Sequence, residues 1–392
     1  MDSLSLGADP VTPTAGIGML GHGFIGKAHV HAYRTAIYMT SPPLRPSLVE
    51  LAGRDAARTE EAARRYGFDR WTTDWEEMVR DERVDLFDNS GPNDLHAAPT
   101  IAAVRAGKHV LCEKPLGRTG EESYRIWQAA EMAEVVHMCS FNYRFVPAVL
   151  LARELIEAGE LGEVHSFHGS YLQDWLADPS TPFVWRLSRE QAGSGALGDI
   201  GAHVIDLARF LVGEIASVSG RVSTVVLERP GGRVDVDDAA DATFDFERGG
   251  RGSLSVSRVA HGHRSSLRFE INGSKGSVAF DVERLNELEV YIGDSRPGER
   301  AQGFRRVLVT DPGHPYVEHW WPPGHVLGWA DTFVHQIDHL LRAIGREGAV
   351  APYGATFEDG YRVAEVCDAI LASSETGAPH AVTYRRNDAS VR

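Results

Sequence analysis

The chain has 392 residues, 43% hydrophobic and 24% charged, a composition typical of a globular protein with two or three domains. Its formal charge of −15 disfavours binding to nucleic acid and to anionic membranes. No apolar run is long enough to cross a bilayer, and Cys112, Cys139 and Cys367 form no CxxC motif, so we expect a cytoplasmic protein with reduced thiols.

Residues 15–142 alternate short apolar runs with helical stretches, which is the pattern of a parallel sheet covered by crossover helices. The candidate strands are residues 15–20, 47–53, 84–89, 108–112 and 135–141. Thr73 with Glu76 and Thr119 with Glu122 match the S/T-x-x-E capping box that begins a helix. The pattern predicts an N-terminal α/β domain with a parallel sheet.

The remaining residues, 143–392, change to one long helical stretch at 147–158, followed by many alternating strands joined by Gly-rich turns. Helical patterns return around residues 199–211, 328–345 and 357–374. We predict a C-terminal α+β domain with a large open, mostly antiparallel sheet. These three helices can cover one face of that sheet and leave the other face for a partner.

A G-x-G-x-x-G motif at residues 21–26 directly follows the first candidate strand and opens a helical stretch. Glycines let the chain turn sharply and bring backbone N–H groups to a pyrophosphate at the helix N-terminus. A glycine-rich turn without a ligand is the alternative. Because strand, turn and helix follow one another here, we predict a Rossmann dinucleotide site. Its predicted contacts are Gly21, Gly23, Phe24, Ile25 and Gly26.

The end of the second strand in a Rossmann domain usually carries an Asp or Glu that binds the adenosine ribose. Here the chain reads Gly53-Arg54-Asp55, with Arg58 one turn later. Arg54 can accommodate the 2′-phosphate of NADP, whereas Asp55 can bind the ribose of NAD if Arg54 is only a solvated surface charge. Both NAD and NADP therefore stay open, with Arg54 as the predicted cofactor contact.

Lys114 lies in the segment Glu113-Lys114-Pro115, immediately after the fourth candidate strand, at the sheet edge where open α/β folds bind ligands. A lysine at that edge can polarise a substrate hydroxyl or exchange a proton with it. A structural salt bridge between Lys114 and Glu113, or another carboxylate, is the alternative.

Asp199 and His203 lie four residues apart where a helix is predicted to begin, so both side chains share one helix face. Oxidation of an alcohol requires a base for the hydroxyl proton, and a neutral histidine oriented by a carboxylate suits this task. The alternative is an aspartate that stabilises the helix N-terminus, beside a half-buried histidine with ordinary hydrogen bonds.

Five motifs follow one another along the chain, namely GHGFIG (21–26), SGPN-x-x-H (90–96), EKP (113–115), FNYRF (141–145) and GDIGAHVID (198–206). Together they resemble the Gfo/Idh/MocA oxidoreductases over about residues 15–375. The resemblance implies a Rossmann domain at 15–142 and an α/β domain at 143–392, whose open sheet holds a homodimer or homotetramer together. It also implies a nicotinamide cofactor and a sugar, anhydrosugar or cyclitol substrate.

Residue by residue, the resemblance implies that Lys114, Asp199 and His203 are catalytic. It further places Asn93, His96, Glu113 and Lys114 beside the cofactor. These roles are carried over from the family motifs onto the matching positions of this chain.

The predicted substrate contacts are Tyr143, Arg144, Gln173, Asp174 and Trp175. Polar groups can pair with sugar hydroxyls, while an aromatic face covers the C–H side of a ring. The stretches YLQDW, AGSGALGDIGAHVID and VDVDD are most similar to family members that oxidise a pyranose hydroxyl. The alternative for Trp175 is a place in the core at the end of a strand.

The 17 histidines raise the question of a metal site, and His335 and His339 are four residues apart on a predicted helix. No HExxH motif or Cys/His cluster accompanies them, so we predict no metal. Two other functional classes stay open, a glycosidase or lyase that uses tightly bound NAD transiently and a non-catalytic sensor of the same fold. Because Lys114 and His203 are both present, an enzyme is favoured over a sensor.

Overall fold

The computed structural model describes residues 12–293 and 302–386. Its N-terminal domain is built on a six-stranded sheet in which all neighbouring strands are parallel. The strands are β1 Thr14–Leu20, β2 Arg45–Ala52, β3 Arg70–Thr72, β4 Leu86–Asn89, β5 His109–Glu113 and β6 His137–Ser140. The helices between them are α1 Phe24–Met39, α2 Ala56–Tyr66, α3 Trp75–Arg80, α4 Ala97–Arg105 and α5 Gly120–Ala133.

The strand order of this sheet is β3-β2-β1-β4-β5-β6, the doubly wound Rossmann arrangement, so the predicted fold class is confirmed. Ligands of such sheets bind at the carboxyl ends of the strands, where the order reverses beside β1. The five predicted strands correspond to β1, β2, β4, β5 and β6. The sequence does not predict β3, because three residues with two exposed side chains carry no alternation signal.

Side-chain caps begin α2, α3 and α5 of this domain, and one of the two predicted caps is among them. Thr119 accepts a hydrogen bond from the Glu122 N–H at 3.1 Å and begins α5. The prediction for Thr73 is wrong by one residue, since Asp74 accepts the Glu76 N–H at 2.8 Å and begins α3. Aspartate caps a helix at least as well as threonine, so the neighbouring carboxylate takes the role.

The C-terminal domain contains a nine-stranded sheet among the described residues. Its order is β16-β15-β14-β13-β7-β12-β11-β8-β17, antiparallel except for the parallel pair β7 and β12. The strands are β7 Val164–Leu172, β8 Ile215–Ser223, β11 Ala239–Phe246, β12 Arg251–Ser257, β13 Ser266–Gly273, β14 Gly276–Asp281, β15 Glu287–Ile292, β16 Arg305–Leu308 and β17 His380–Ala381. A separate hairpin joins β9 Glu228–Arg229 to β10 Gly232–Arg233. The predicted large, mostly antiparallel sheet is confirmed.

One face of this sheet is covered by helices. The helices of this part of the chain are α6 Pro147–Glu157, α7 Arg189–Ala192, α8 Ala202–Leu211, α9 Asp331–Ile344 and α10 Phe357–Thr376. Helices α6, α8 and α10 pack against the sheet. Because buried and exposed residues alternate along β11, β12 and β13, the opposite face is open. In the ranges that the structure describes, no helix is both long and apolar enough to cross a membrane.

Helix α9 does not cover the C-terminal sheet, which corrects the prediction for residues 328–345. It packs against α1 of the N-terminal domain, where Phe333 and Ile337 share a core with Ala32 and Ala36. The alanines of α1 let the two helices approach closely, and the apolar stripe of α9 fills the space above them. The division at residues 142 and 143 stays a prediction, but the core of the N-terminal domain includes α9.

Candidate active site

The glycine loop between β1 and α1 has the shape that a pyrophosphate requires. Gly21 has a φ of +97°, and a Cβ at this residue would lie 2.6 Å from the Ser90 carbonyl oxygen. Gly23 precedes α1 without a side-chain cap, and no atom lies within 4 Å of where its Cβ would be. The first turn of α1 carries no acidic residue. Backbone N–H groups at this helix N-terminus therefore fit a dinucleotide phosphate.

The other predicted cofactor contacts in the loop, Gly26, Ile25 and Phe24, have different surroundings. A Cβ at Gly26 would lie 2.5 Å from the Gly21 carbonyl oxygen, so the helix passes close to the loop. Ile25 packs into the core between α1 and α9. Phe24 is exposed and stacks on Trp329, with 5.3 Å between ring centroids and 12° between planes. Trp329, a single tryptophan without a motif, is a candidate site residue that sequence reasoning missed.

The adenosine end of the cleft lies beside this loop, because the Gly21 N–H donates a 2.9 Å hydrogen bond to the Ala52 carbonyl at the end of β2. Arg54, the predicted contact for a 2′-phosphate, follows two residues later and is exposed. Its side chain is therefore accessible from the cleft edge where Rossmann domains bind the adenosine ribose.

Asn93 and His96 hold backbone segments around the cleft. The Asn93 side-chain amide donates to the Ala192 carbonyl at 3.0 Å. The ring nitrogens of His96, which is fully buried, lie 2.7 Å from the Pro115 carbonyl oxygen and 3.1 Å from the Gly91 carbonyl oxygen. These contacts tie the loop after β4 to α7 and to the end of β5. Direct contact with the cofactor stays a prediction for both residues.

Glu113 at the end of β5 belongs to a buried cluster that sequence reasoning missed. Its carboxylate lies 3.1 Å from Nε2 of His29, whose Nδ1 lies 2.9 Å from the Asp88 carboxylate. The Tyr33 hydroxyl donates to Asp88 at 3.0 Å. Burial lowers the pKa of His29, but Asp88 and Glu113 outweigh it and raise that pKa to about 10. The cluster joins α1, β4 and β5 beneath the cleft.

Lys114 and Asp199 meet across the two domains. The Lys114 Nζ donates hydrogen bonds to the Asp199 carbonyl at 2.7 Å and to its carboxylate at 3.1 Å. Asp199 lies in the π-helical turn Leu197–Gly201, which leads into α8. The salt bridge considered for Lys114 is thus made with Asp199, which brings two predicted catalytic residues together. The Lys114–Pro115 peptide bond is cis.

His203, in the first turn of α8, lies in an aromatic setting made by Phe141, Tyr143 and Tyr171. It is only 7% exposed, and its Nδ1 has no hydrogen-bond partner among the described residues. Burial and the Lys114 ammonium lower the pKa of His203 to about 3. The ring is therefore neutral at neutral pH and keeps one buried nitrogen without a hydrogen-bond partner in the described part of the chain.

Two arginines near Asp199 are further candidate site residues that the sequence analysis missed. Burial would raise the pKa of Asp199, but Lys114, Arg186 and Arg258 together hold it well below its usual range. Arg258 is fully buried, and its guanidinium lies 3.7 Å from the Asp199 carboxylate. It also donates to the Asp237 carbonyl at 3.0 Å. A single arginine at the end of a strand carries no signal by which the sequence could reveal this role.

Tyr143 and Arg144, adjacent in the chain, have different surroundings. The Tyr143 ring centroid lies 4.8 Å from that of His203, and its hydroxyl is 2.9 Å from the Tyr171 hydroxyl. Arg144 is only 3% exposed and forms a bidentate pair with Asp206, at 2.6 Å and 2.9 Å. Tyr143 is therefore brought into the site. Buried carboxylates hold the Arg144 guanidinium, and its contact with a sugar stays a prediction.

The segment Gln173-Asp174-Trp175 follows β7 and is partly accessible. Trp175 is 38% exposed, so it is not a core residue, and its ring lies 5.8 Å from the Arg258 guanidinium carbon. Asp174 accepts a 3.2 Å hydrogen bond from the exposed Arg264. Gln173 is half-buried and pairs through its backbone with Ser257 at 2.8 Å. Their contacts with a sugar stay predictions.

The histidines of α9 have protein partners. His335 accepts a 2.6 Å hydrogen bond from the Trp320 ring N–H and lies 2.9 Å from the Phe145 carbonyl oxygen. His339 lies 3.0 Å from the Tyr316 hydroxyl. No group of three or more His, Cys, Asp or Glu side chains that could hold a metal ion occurs within residues 12–293 and 302–386.

Comparison with known proteins finds relatives with the same two domains. Residues 15–141 match the oxidoreductase family model with an NAD-binding Rossmann fold, and residues 149–279 match the GFO/IDH/MocA C-terminal domain. Levoglucosan dehydrogenase of Pseudarthrobacter phenanthrenivorans is 43% identical over 378 residues, covering 91% of this chain and 95% of that protein. Inositol 2-dehydrogenase of Rhizobium meliloti is 28% identical, covering 92% and 97%. A solved levoglucosan dehydrogenase in complex with NADH and levoglucosan superimposes with a TM-score of 0.91 at 43% identity, covering 95% of this chain and 100% of that one.

A Rossmann domain with an open glycine loop, whose Lys114 meets Asp199 of the C-terminal domain beside His203, defines a nicotinamide-dependent oxidoreductase. The chain belongs to the Gfo/Idh/MocA oxidoreductase family. The resemblance predicted from the five motifs is therefore confirmed, as are the fold, the nicotinamide cofactor and the enzyme class. The relatives named above include dehydrogenases of an anhydrosugar and of a cyclitol.

Proposed function

We propose that the chain is a dehydrogenase that oxidises a ring hydroxyl of an anhydrosugar in the pyranose form, with levoglucosan as the first candidate. The observation that carries the proposal is the buried, unpartnered Nδ1 of His203, beside the bonded pair of Lys114 and Asp199. A buried polar atom without a partner is costly, so the fold itself does not satisfy the His203 ring, which stays available for a ligand.

The substrate class is supported by the chemistry of the cleft wall. Trp175 offers a partly exposed aromatic face, and Gln173 offers a side-chain amide in the same segment. An aromatic face with a few polar groups is the usual composition of a sugar site. The relative with 43% identity is named for levoglucosan, an anhydrosugar, which favours this substrate over a cyclitol.

Each member of the catalytic group has a distinct task. The bound nicotinamide supplies the acceptor for the hydride that leaves the ring carbon. His203, neutral because burial and Lys114 lower its pKa, accepts the hydroxyl proton on its imidazole ring. Lys114 donates a hydrogen bond to the same oxygen, where negative charge develops. Asp199 holds the Lys114 ammonium at this position through two hydrogen bonds.

A panel of anhydrosugars, aldoses, glycosides and cyclitols, each offered with NAD and with NADP, tests the proposal. We expect reduced-nicotinamide absorbance to grow in proportion to substrate consumed, fastest with levoglucosan. Consumption of a glycoside without net cofactor reduction would instead support the glycosidase or lyase class. Saturable sugar binding without turnover of any compound in the panel would support a sensor.

We propose that a second copy of the chain covers the open face of the C-terminal sheet. Arg221 and Asp241 lie opposite each other on neighbouring strands of this face, so the face carries both signs of charge that an isologous contact can pair. Light scattering should give a dimer or tetramer mass. The double variant Thr243→Arg and Ser253→Arg, which adds four charges to a two-fold contact, should give monomers, and an unchanged mass would contradict the assignment.

We also propose a cytoplasmic location, because Cys112, Cys139 and Cys367 are buried and unpaired as thiols. Fractionation of cells that express a tagged full chain should place the protein with cytoplasmic markers. Recovery in a periplasmic or membrane fraction would contradict it.

A further inference from the structure

The end of β2, beside the glycine loop, is where a Rossmann domain discriminates between its cofactors. Strand β2 ends at Ala52, and the chain continues through Gly53, Arg54 and Asp55 to α2. In NAD enzymes a carboxylate at this strand end hydrogen-bonds the 2′-hydroxyl of the adenosine ribose. An arginine nearby instead accommodates the 2′-phosphate of NADP. The side chains here therefore decide which cofactor the enzyme accepts.

Position 53 carries no carboxylate, and a side chain there would crowd two neighbouring side chains. A Cβ on Gly53 would lie 2.5 Å from Oγ1 of Thr59 and 2.8 Å from Cδ2 of His22. His22 and Thr59 are themselves in contact, with 3.3 Å between Nε2 and Oγ1. Both a glycine-loop side chain and an α2 side chain would have to move before any side chain fitted at residue 53.

The nearest acidic residue, Asp55, has another task. Its carboxylate accepts a 2.9 Å hydrogen bond from the Arg58 N–H and caps the N-terminus of α2. An aspartate at this position stabilises the helix by satisfying one of its open N–H groups. Asp55 is therefore oriented along the helix by the fold itself, and its presence in the sequence does not require a ribose contact.

Two arginines at this strand end have exposed side chains. Among the described residues, neither Arg54 nor Arg58 forms an ion pair, so no carboxylate neutralises either guanidinium. Arg64 and Arg65 in the last turn of α2 also form none with any described residue, so the position beside the end of β2 distinguishes Arg54 and Arg58. A guanidinium presents a planar set of donors that matches a phosphate group and stays charged at all physiological pH values. The strand end thus offers positive charge without a competing carboxylate at residue 53.

We infer that the adenosine end of this cleft binds a 2′-phosphate through Arg54, with Arg58 adding positive charge, so that the cofactor is NADP. This assignment rests on the proposed function, since it names the cofactor of that dehydrogenase. It also predicts a difference from the solved levoglucosan dehydrogenase, which was obtained in complex with NADH.

Equilibrium binding of NADPH and NADH to the full chain without sugar, followed by quenching of tryptophan fluorescence, tests the inference. We expect NADPH to bind at least about tenfold more tightly than NADH, and 2′,5′-ADP to displace it better than 5′-AMP. Arg54→Gln should weaken NADPH binding about tenfold and leave NADH binding within about twofold. Arg65→Gln, which removes the same charge at the other end of α2, is the matched control and should change neither.

Tighter binding of NADH than of NADPH by the unaltered chain would overturn the assignment. So would an Arg54→Gln variant that loses both cofactors equally, or an Asp55→Asn variant that loses NADH alone. Because these measurements involve no substrate, they separate the two proposals. Tight NADPH binding without oxidation of any sugar would contradict the proposed function and leave the cofactor assignment standing.

Discussion

Two buried histidines near the segment Glu113-Lys114, His29 and His203, differ in their electrostatic surroundings. His29 is paired at both ring nitrogens, with Asp88 and Glu113, and its pKa is raised to about 10. His203 has no partner at Nδ1, faces Lys114, and its pKa is lowered to about 3. Burial lowers the pKa of both rings, so the sign of the neighbouring charge decides the difference.

The comparison separates a residue that stabilises the fold from one that is available for chemistry. His29 has used all its hydrogen-bonding capacity and is charged between two carboxylates, so nothing is left for a ligand. His203 is neutral and retains an unused nitrogen in an aromatic setting. Completeness of hydrogen bonding, more than burial or residue type, therefore distinguishes the two roles in this molecule.

The largest expected effect comes from replacing the residues of the catalytic group. His203→Gln and Lys114→Met should each lower the turnover number by about 10²–10⁴, because each removes a group that exchanges or stabilises charge on the reacting oxygen. Cofactor binding, measured by fluorescence, should be retained. Lys275→Met, an exposed lysine of the C-terminal domain, is the matched control. Near-normal turnover in both site variants would contradict the catalytic assignment.

Replacement of His29, the histidine with a structural role, should lower the stability of the fold. His29→Gln leaves Asp88 and Glu113 buried without a cation between them, so we expect the free energy of unfolding in urea to fall by about 3–5 kcal/mol. His31→Gln on the exposed side of α1 should change it by less than about 0.5 kcal/mol. Equal stability of the two variants would show that the buried cluster contributes nothing.

The pH dependence of stability sharpens the same contrast. The pKa of His29 is raised above its unfolded value near 6.5, so its contribution is fully present below that pH and is lost as pH rises toward about 10. The free energy of unfolding should therefore decline over this range, and His29→Gln should reduce the slope. A variant with the slope of the unaltered chain would contradict the assigned charge state of His29.

The smallest expected effect concerns the link between Lys114 and His203. Because burial is the larger cause of the low pKa of His203, Lys114→Met should raise that pKa from about 3 without restoring the ordinary value. Nuclear magnetic resonance of selectively labelled histidine can follow the titration. A pKa that stays unchanged in Lys114→Met would mean that the ammonium does not act on the ring.

The parts of the molecule that the sequence predicted are those with local or motif signals. The glycine loop, the strands β1, β2, β4, β5 and β6, and the four-residue spacing of Asp199 and His203 are visible in short windows of the chain. Alternating or periodic apolar residues report which side of an element is buried, and glycines report a required turn. The pairing of Lys114 with Asp199 could be anticipated only as a salt bridge with an unknown carboxylate.

The parts that the sequence did not predict depend on which elements meet in space. Periodicity shows that α9 has an apolar stripe, but it does not show that α1 is the surface that covers it. The cluster around His29 draws single residues from three elements, and Arg258 stands alone at a strand end. Arg144 lies in a family motif, yet its role follows from Asp206, which is 62 residues away.

The packing of α9 on α1 has a consequence for how the chain folds during synthesis. The core between α1 and β1 is completed by residues 331–344, so the nucleotide-binding half cannot close when its own strands have left the ribosome. Until then, the apolar side of α1 is exposed for the time needed to make nearly 200 further residues. We therefore expect α9 to complete the N-terminal domain as a late step of folding. Truncation before residue 344 should give an aggregating fragment instead of an autonomous nucleotide-binding domain.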